Sequence, residues 1–193
     1  MIEQVGNEAE AHIYAENVSV EQSDLPTVIL VVATRFVPQY LGGARDILQG
    51  ACIAQRIFNE IHTLRVRLLL ANAGSGEAAQ VTCQIIQAAA VSPSSVPIAG
   101  IIGWELSRDV SDSLRLVNQA HLPMLSPTAS GTGTDLDDQP DFARIAPPDE
   151  LPGEYAALSA SQTLREQRVA RFEDPRDTSS QSLASSCRLS PEF

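Results

Sequence analysis

Three small hydroxyl side chains stand where a ligand could be held without covalent chemistry: Ser107, just after "GWEL", and Thr128 and Ser130 in "SPTAS". Short hydroxyls and free backbone N–H groups at helix N-termini are the groups that grip a small carboxylate. Such residues also serve as plain helix caps, and residue type alone leaves both readings open. Two other groups point to different chemistry. Gly74, Gly76 and Ala79 in "NAGSGEAA" form a G-x-G-x-x-A arrangement at a helix start, where a pyrophosphate could sit. That motif follows the second strand rather than the first, and the acidic ribose partner expected about 20 residues on is missing, so a turn with a helix cap competes with it. Asp135, Asp137, Asp138 and Asp141 supply carboxylates of the kind calcium takes, but without the glycine and terminal glutamate of a calcium loop, and Pro140 breaks the run. A solvated loop is the simpler reading.

Other chemistries find no candidates. His12, His62 and His121 stand alone, without a paired His or Cys at metal-ligand spacing. No G-x-S-x-G elbow, H-E-x-x-H or Walker loop occurs. Cys52, Cys83 and Cys187 are odd in number and far apart, so they read as free thiols rather than a disulfide framework. No catalytic residue, metal or cofactor is expected.

The composition narrows the partners. With 193 residues, 44% of them hydrophobic, the chain can bury one sizeable core. A formal net charge of -11 argues against nucleic acid, which needs a basic face to displace counterions. No stretch reaches the apolar length of a membrane span. The acidic N-terminal "MIEQVGNEAEAHIYAENVSVEQSDLP" lacks the basic and apolar regions of a secretory signal, which leaves a soluble chain that stays where it is made as the expectation.

The elements that must position the hydroxyls follow from periodicity. "TVILVVA" is a continuous Val/Ile-rich run, the mark of a strand buried on both faces. "ARDILQGACIAQRIFNEI" places Ile47, Ala51, Ala54, Ile57, Phe58 and Ile61 at helical spacing. "LRVRLLLA" repeats the strand, and "SGEAAQVTCQIIQAAA" the helix, with Ser75 as its N-cap. "VPIAGIIG" and "SRDVSDSLRLVNQA" repeat both again. "LPMLS" and "FARIA" give a fourth and a fifth strand. "PDELPGEYAALSASQTLREQ" reads as a helix interrupted early at Pro152, "RVARFED" as a strand and "SSQSLASS" as the start of a further helix. Strands alternating with helices at this spacing call for an α/β fold, a doubly wound parallel sheet covered on both faces. Ligands of such sheets bind outside the carboxyl ends of the strands, which puts the loops after Ala33, Ala71, Ile102 and Leu125 in view.

Taken in order, "GARDILQGACIAQRIFNE", "LRVRLLLANAGSGEAAQVTCQIIQAA", "VPIAGIIGWELSRDVSDSLRLVNQAHLPMLSPTAS", "FARIAPPDE" and "FEDPRDTSSQSLA" resemble the type I periplasmic binding protein family, in its branched-chain amino-acid (Leu/Ile/Val) branch. The match spans about Thr27 to Ala184. The resemblance implies flavodoxin-like strand order and a non-catalytic, two-lobed trap whose first lobe holds an amino acid's carboxylate and ammonium groups. Ser107 takes the position of the family's carboxylate-binding serine. Thr128 and Ser130 match the backbone-contributing and hydroxyl positions of its "S-P-x-x-T" loop, with Ser in place of Thr at 130. A small amino-acid-like ligand, an ABC permease as partner of a full-length form, and a periplasmic or extracellular setting are implied in the same way.

Three positions depart from the pattern. The loop "TRFVPQYLGG" offers Phe36 and Tyr40, neither clearly the family's aromatic wall. Asn72 replaces a common Asp. The sequence stops soon after the second lobe would begin. The expected organisation is therefore a flexible acidic lead-in over 1–26, a ligand-binding lobe over 27–167 and a stub of a second lobe over 168–193, with little to pack on or docked as an added strand. A nucleotide-dependent enzyme built around "GSGEAA" and a fragment that binds nothing are the alternatives.

Overall fold

The middle of Thr27–Thr34 (β1), residues 28–32, is Val, Ile and Leu throughout, and such residues fit a central strand flanked on both sides. In the computed structural model, which describes residues 9–132, 139–163 and 170–187, β1 pairs in parallel with Arg65–Asn72 (β2) on one side and Ile98–Ile102 (β3) on the other. Met124–Ser126 (β4) and Phe142–Arg144 (β5) extend the sheet, again in parallel, to give the order β2-β1-β3-β4-β5. This is the flavodoxin-like order the sequence points to.

Side chains of β1 alternate between the faces, and each face has its own core. Val31 and Ala33 join Ile101, Trp104, Val110, Leu114, Val117 and Met124 under Ala78–Val91 (α3) and Ser107–Ala120 (α4). Val32 joins Ile47, Leu48, Val66 and Leu68 under Leu41–Ile61 (α2) and Ala9–Glu21 (α1). In the first core Trp104 is fully buried, yet its indole N–H is satisfied by Thr82 Oγ1 at 3.2 Å, and Thr82 in turn meets Ser113 Oγ at 2.9 Å. That polar chain spans α3 and α4 at no cost in unpaired groups.

Several expectations are corrected. Part of the anticipated flexible lead-in is helix α1, whose Ile13 and Val20 are buried. Its apolar residues are too few and too far apart to signal a helix, and its role is to cover a sheet edge. Asn17 accepts from the Leu68 N–H at 3.0 Å and donates to the Leu68 carbonyl at 2.7 Å. Asn59 of α2 does the same for Val66, at 2.8 and 3.0 Å. The outer backbone of edge strand β2 is thus paired by side-chain amides, one way of blunting an edge that would otherwise invite another strand.

On α2, Ile57 and Ile61 are solvent-exposed, so the apolar stripe is wider than the surface it packs on. Ser75 does not cap α3, which starts at Ala78 after Glu77. Pro152 lies in the first turn of Glu150–Leu158 (α5), where its missing N–H would have no helical partner, so the helix runs through it. Residues 170–174 of the expected "RVARFED" strand carry no strand. The expected stub contributes Thr178–Ser186 (α6), packed on α5 with Ser182 and Ala184 buried, rather than an added strand. Asp135, Asp137 and Asp138 fall outside the described residues; Asp141 faces His121 at 3.3 Å.

Candidate functional site

In the order β2-β1-β3-β4-β5 the winding reverses between β1 and β3, and the crevice beyond their carboxyl ends is where such sheets bind ligands. The loop after β3 folds back over the end of β1 at Gly103. Its φ is +142°, and a Cβ there would lie 2.1 Å from the Ala33 carbonyl oxygen. Glycine is what allows this close crossing.

The crossing brings Glu105 onto the end of β1. Its carboxylate accepts from Thr34 Oγ1 at 2.9 Å and from the Arg35 backbone N–H at 3.0 Å. The Arg35 side chain turns the other way, into a buried fork. Nε and Nη2 donate to Asp109 of α4 at 2.6 and 2.9 Å, and Nη1 donates to the Gly74 and Gly76 carbonyls at 3.0 and 2.8 Å. The hydrogen bond to Asp109 raises the Arg35 pKa against the opposing pull of burial. One side chain thereby ties β1, α4 and the β2–α3 turn into a rigid floor.

Ser107 opens α4, but its hydroxyl does not cap the helix. It is buried, accepts from the Gly131 N–H at 2.9 Å and meets Ser179 Oγ of α6 at 2.9 Å. Thr128 is exposed and donates to the Glu105 carbonyl at 3.0 Å. Ser130 is half-buried, and its carbonyl accepts from the Asp149 N–H at 2.8 Å. Ser126 anchors the loop between them: its hydroxyl donates to the Trp104 carbonyl at 2.7 Å and accepts from the Ala129 N–H at 3.0 Å. The loops after β3 and β4, which carry the three hydroxyls, are therefore one connected structure.

Beside Ser107 lies an open cavity of about 490 Å³, walled by Tyr40, Glu105, Leu106, Arg108 and residues from Asp174 to Ser179. This is within the range of small-ligand sites. Ser107 is on its wall; Thr128 and Ser130 adjoin it without lining it. Of the two aromatic candidates, Tyr40 is on the wall, where its hydroxyl accepts from Arg108 at 3.0 Å, while Phe36 packs toward the α1/α2 core. Asn72 fixes the opposite loop, its Oδ1 accepting from the Phe36 and Gly74 N–H groups at 3.0 and 2.7 Å. On the far wall Arg176 hydrogen-bonds Asp174 and holds its carboxyl below the usual range. Asp177 caps α6 by accepting from the Ser179 N–H at 3.0 Å.

Sequence reasoning missed Glu105 and Arg108, although both flank Ser107 in "GWELSRD". It also missed the wall from Asp174 to Ser179, which only the tertiary fold brings near. Among the described residues, no group of three or more His, Cys, Asp or Glu is placed to hold a metal ion, and no helix is long and apolar enough to cross a membrane.

The glycine motif is committed elsewhere. The Gly74 and Gly76 N–H groups, which a pyrophosphate would need, go to Asn72 Oδ1 and to the Ala73 carbonyl at 2.7 Å each, and the carbonyls of both glycines hold Arg35. The turn is a structural support for the floor.

No protein-family model matches the sequence, and no curated protein matches it. Solved structures do. A leucine binding protein from Thermotoga maritima superposes with a TM-score of 0.69 at 19% identity, over 83% of this chain and 44% of that one. A branched-chain amino acid transporter substrate binding protein from Streptococcus pneumoniae, in complex with isoleucine, gives 0.70 at 16% identity, over 83% and 45%. An ABC-transporter solute binding protein from R. palustris, in complex with 4-hydroxybenzoate, gives 0.57 at 13%, over 83% and 43%. At these identities the likeness is one of fold: the chain has the architecture of a type I periplasmic binding protein lobe and spans under half the length of the proteins it resembles.

Proposed function

We propose that this chain is a non-catalytic binding lobe for a small, amino-acid-like ligand, of the ABC-transporter substrate-binding or receptor type. The observation that carries the reading is the cavity at the β1/β3 switch point with Ser107 on its wall. Ser107 is held by a neighbouring backbone N–H and by a second hydroxyl rather than used as a helix cap. The ligand's carboxylate takes the Ser107 hydroxyl, in exchange for Ser179, and draws on the adjoining Thr128–Ser130 loop. Solved proteins of the same fold hold leucine or isoleucine in some cases and hydroxybenzoates in others, and a small carboxylate is common to these ligands. Partnership with an ABC permease belongs to a two-lobed form of this architecture. Isothermal titration calorimetry with leucine, isoleucine and valine, run beside NAD and ATP, tests the reading. Saturable heats with an amino acid are expected, and binding of NAD or ATP with none from any amino acid would overturn it.

A further inference from the structure

We infer that Glu105 receives the ligand's ammonium group, so that the cavity selects amino acids over carboxylic acids lacking one. The inference rests on the binding reading above and deepens it. Of the five charged side chains on the wall, Asp174 and Arg176 neutralise each other. Arg108 leans on the Tyr40 hydroxyl and lies 3.8 Å from Asp109. Asp177 is exposed and spent on its helix cap.

Glu105 differs from all of these. It is half-buried, two residues from Ser107, and its hydrogen bonds come from neutral donors, the Thr34 hydroxyl and the Arg35 backbone N–H. The nearby Arg35 guanidinium gives its side-chain hydrogen bonds to Asp109 and the two glycine carbonyls. An ionised carboxylate offers about four acceptor positions, so roughly half remain open on the cavity side. Two neutral donors fix its direction, and the Arg35 guanidinium, whose charge also acts on Glu105, is hydrogen-bonded to Asp109 instead. A cationic donor arriving there forms a charge-assisted hydrogen bond, about twice as strong as a neutral one. A plain carboxylic acid instead brings a second negative charge beside Glu105 and leaves its acceptors unpaired. Sites built to bind a polar group discriminate strongly against analogues without it.

The test is calorimetry with L-leucine, 4-methylpentanoate (leucine without its ammonium) and 4-hydroxybenzoate, on the wild-type chain and on Glu105→Gln. Gln keeps the shape and an acceptor for the Arg35 N–H, and circular dichroism checks the variant's fold. The wild type is expected to bind leucine at least tenfold tighter than either acid, and Glu105→Gln to weaken leucine at least tenfold while binding 4-methylpentanoate no worse. The wild-type comparison stands even if the variant does not fold. Equal wild-type affinity for leucine and 4-methylpentanoate, preference for 4-hydroxybenzoate, or leucine selectivity unchanged in Glu105→Gln would overturn the role of Glu105 and leave the small-ligand reading standing. No binding of any of the three overturns both.

Discussion

Asp109→Ala removes the carboxylate that holds the Arg35 guanidinium, whose side chain is 9% exposed against 2% for Asp109. Nη1 keeps the Gly74 and Gly76 carbonyls, but Nε and Nη2 lose their acceptor in a nearly dry position. Each stranded donor costs about 1–3 kcal/mol, so the two together cost about 2–6 kcal/mol. This brackets the ~3–5 kcal/mol typical of breaking one side of a buried ion pair. For a chain of this size the melting temperature should fall by roughly 6–20 °C. Replacing both partners with apolar residues, Arg35→Met with Asp109→Leu, removes the stranded charge; the exposed Gly76 carbonyl turns to water, so the double variant should be more stable than the single one. Urea unfolding of wild type, single and double variants at pH 7 measures both effects. A single-variant loss below about 1 kcal/mol, the range of a surface pair, or a double variant less stable than the single, would refute a buried fork at this position.

Three further outcomes follow from the same reasoning. Asn59→Ala strips the Val66 N–H of its partner at the β2 edge, while the Val66 carbonyl keeps Gln55 Nε2 at 3.1 Å, and should cost about 1–3 kcal/mol in urea unfolding, more than an ordinary surface change. Gly103→Ala forces a Cβ onto the Ala33 carbonyl at positive φ and should cost about 3 kcal/mol or more, read as a loss of folded protein in thermal melts. Burial pushes the Cys52 thiol pKa up. In a chain carrying Cys83→Ser and Cys187→Ser, its iodoacetamide alkylation should therefore reach half-maximal rate at higher pH than glutathione does; an equal or lower midpoint would contradict the burial.

The sheet was legible because its signals are local. A Val/Ile run such as 28–32 announces a buried strand by itself, and repeated strand–helix spacing leaves few topologies. The placement of Ser107 and the 128–130 loop beyond the carboxyl ends of β3 and β4 follows from the same order of segments. The rest depends on pairs far apart in sequence. Arg35 and Asp109 are 74 residues apart, and neither carries a local sign of burial. Helix α1 escaped notice because Ile13 and Val20 do not form a regular stripe; Asn17, which reads as a polar surface residue, is what ties it to β2. Ser179 reaches Ser107 only because α6 packs beside α4 and α5. The glycine motif misleads because its N–H groups are consumed within the turn by Asn72 and Ala73, while its carbonyls hold Arg35 from far away in the sequence.

The central claim, that a small carboxylate is held where the loops after β3 and β4 meet, is tested most directly by titrating L-leucine into isotopically labelled protein and following backbone amide resonances. Saturable shifts are expected, concentrated at residues 105–108 and 128–131. Shifts confined to the Gly74–Ala79 turn or to the opposite end of the sheet, or no shifts at saturating ligand, would contradict it.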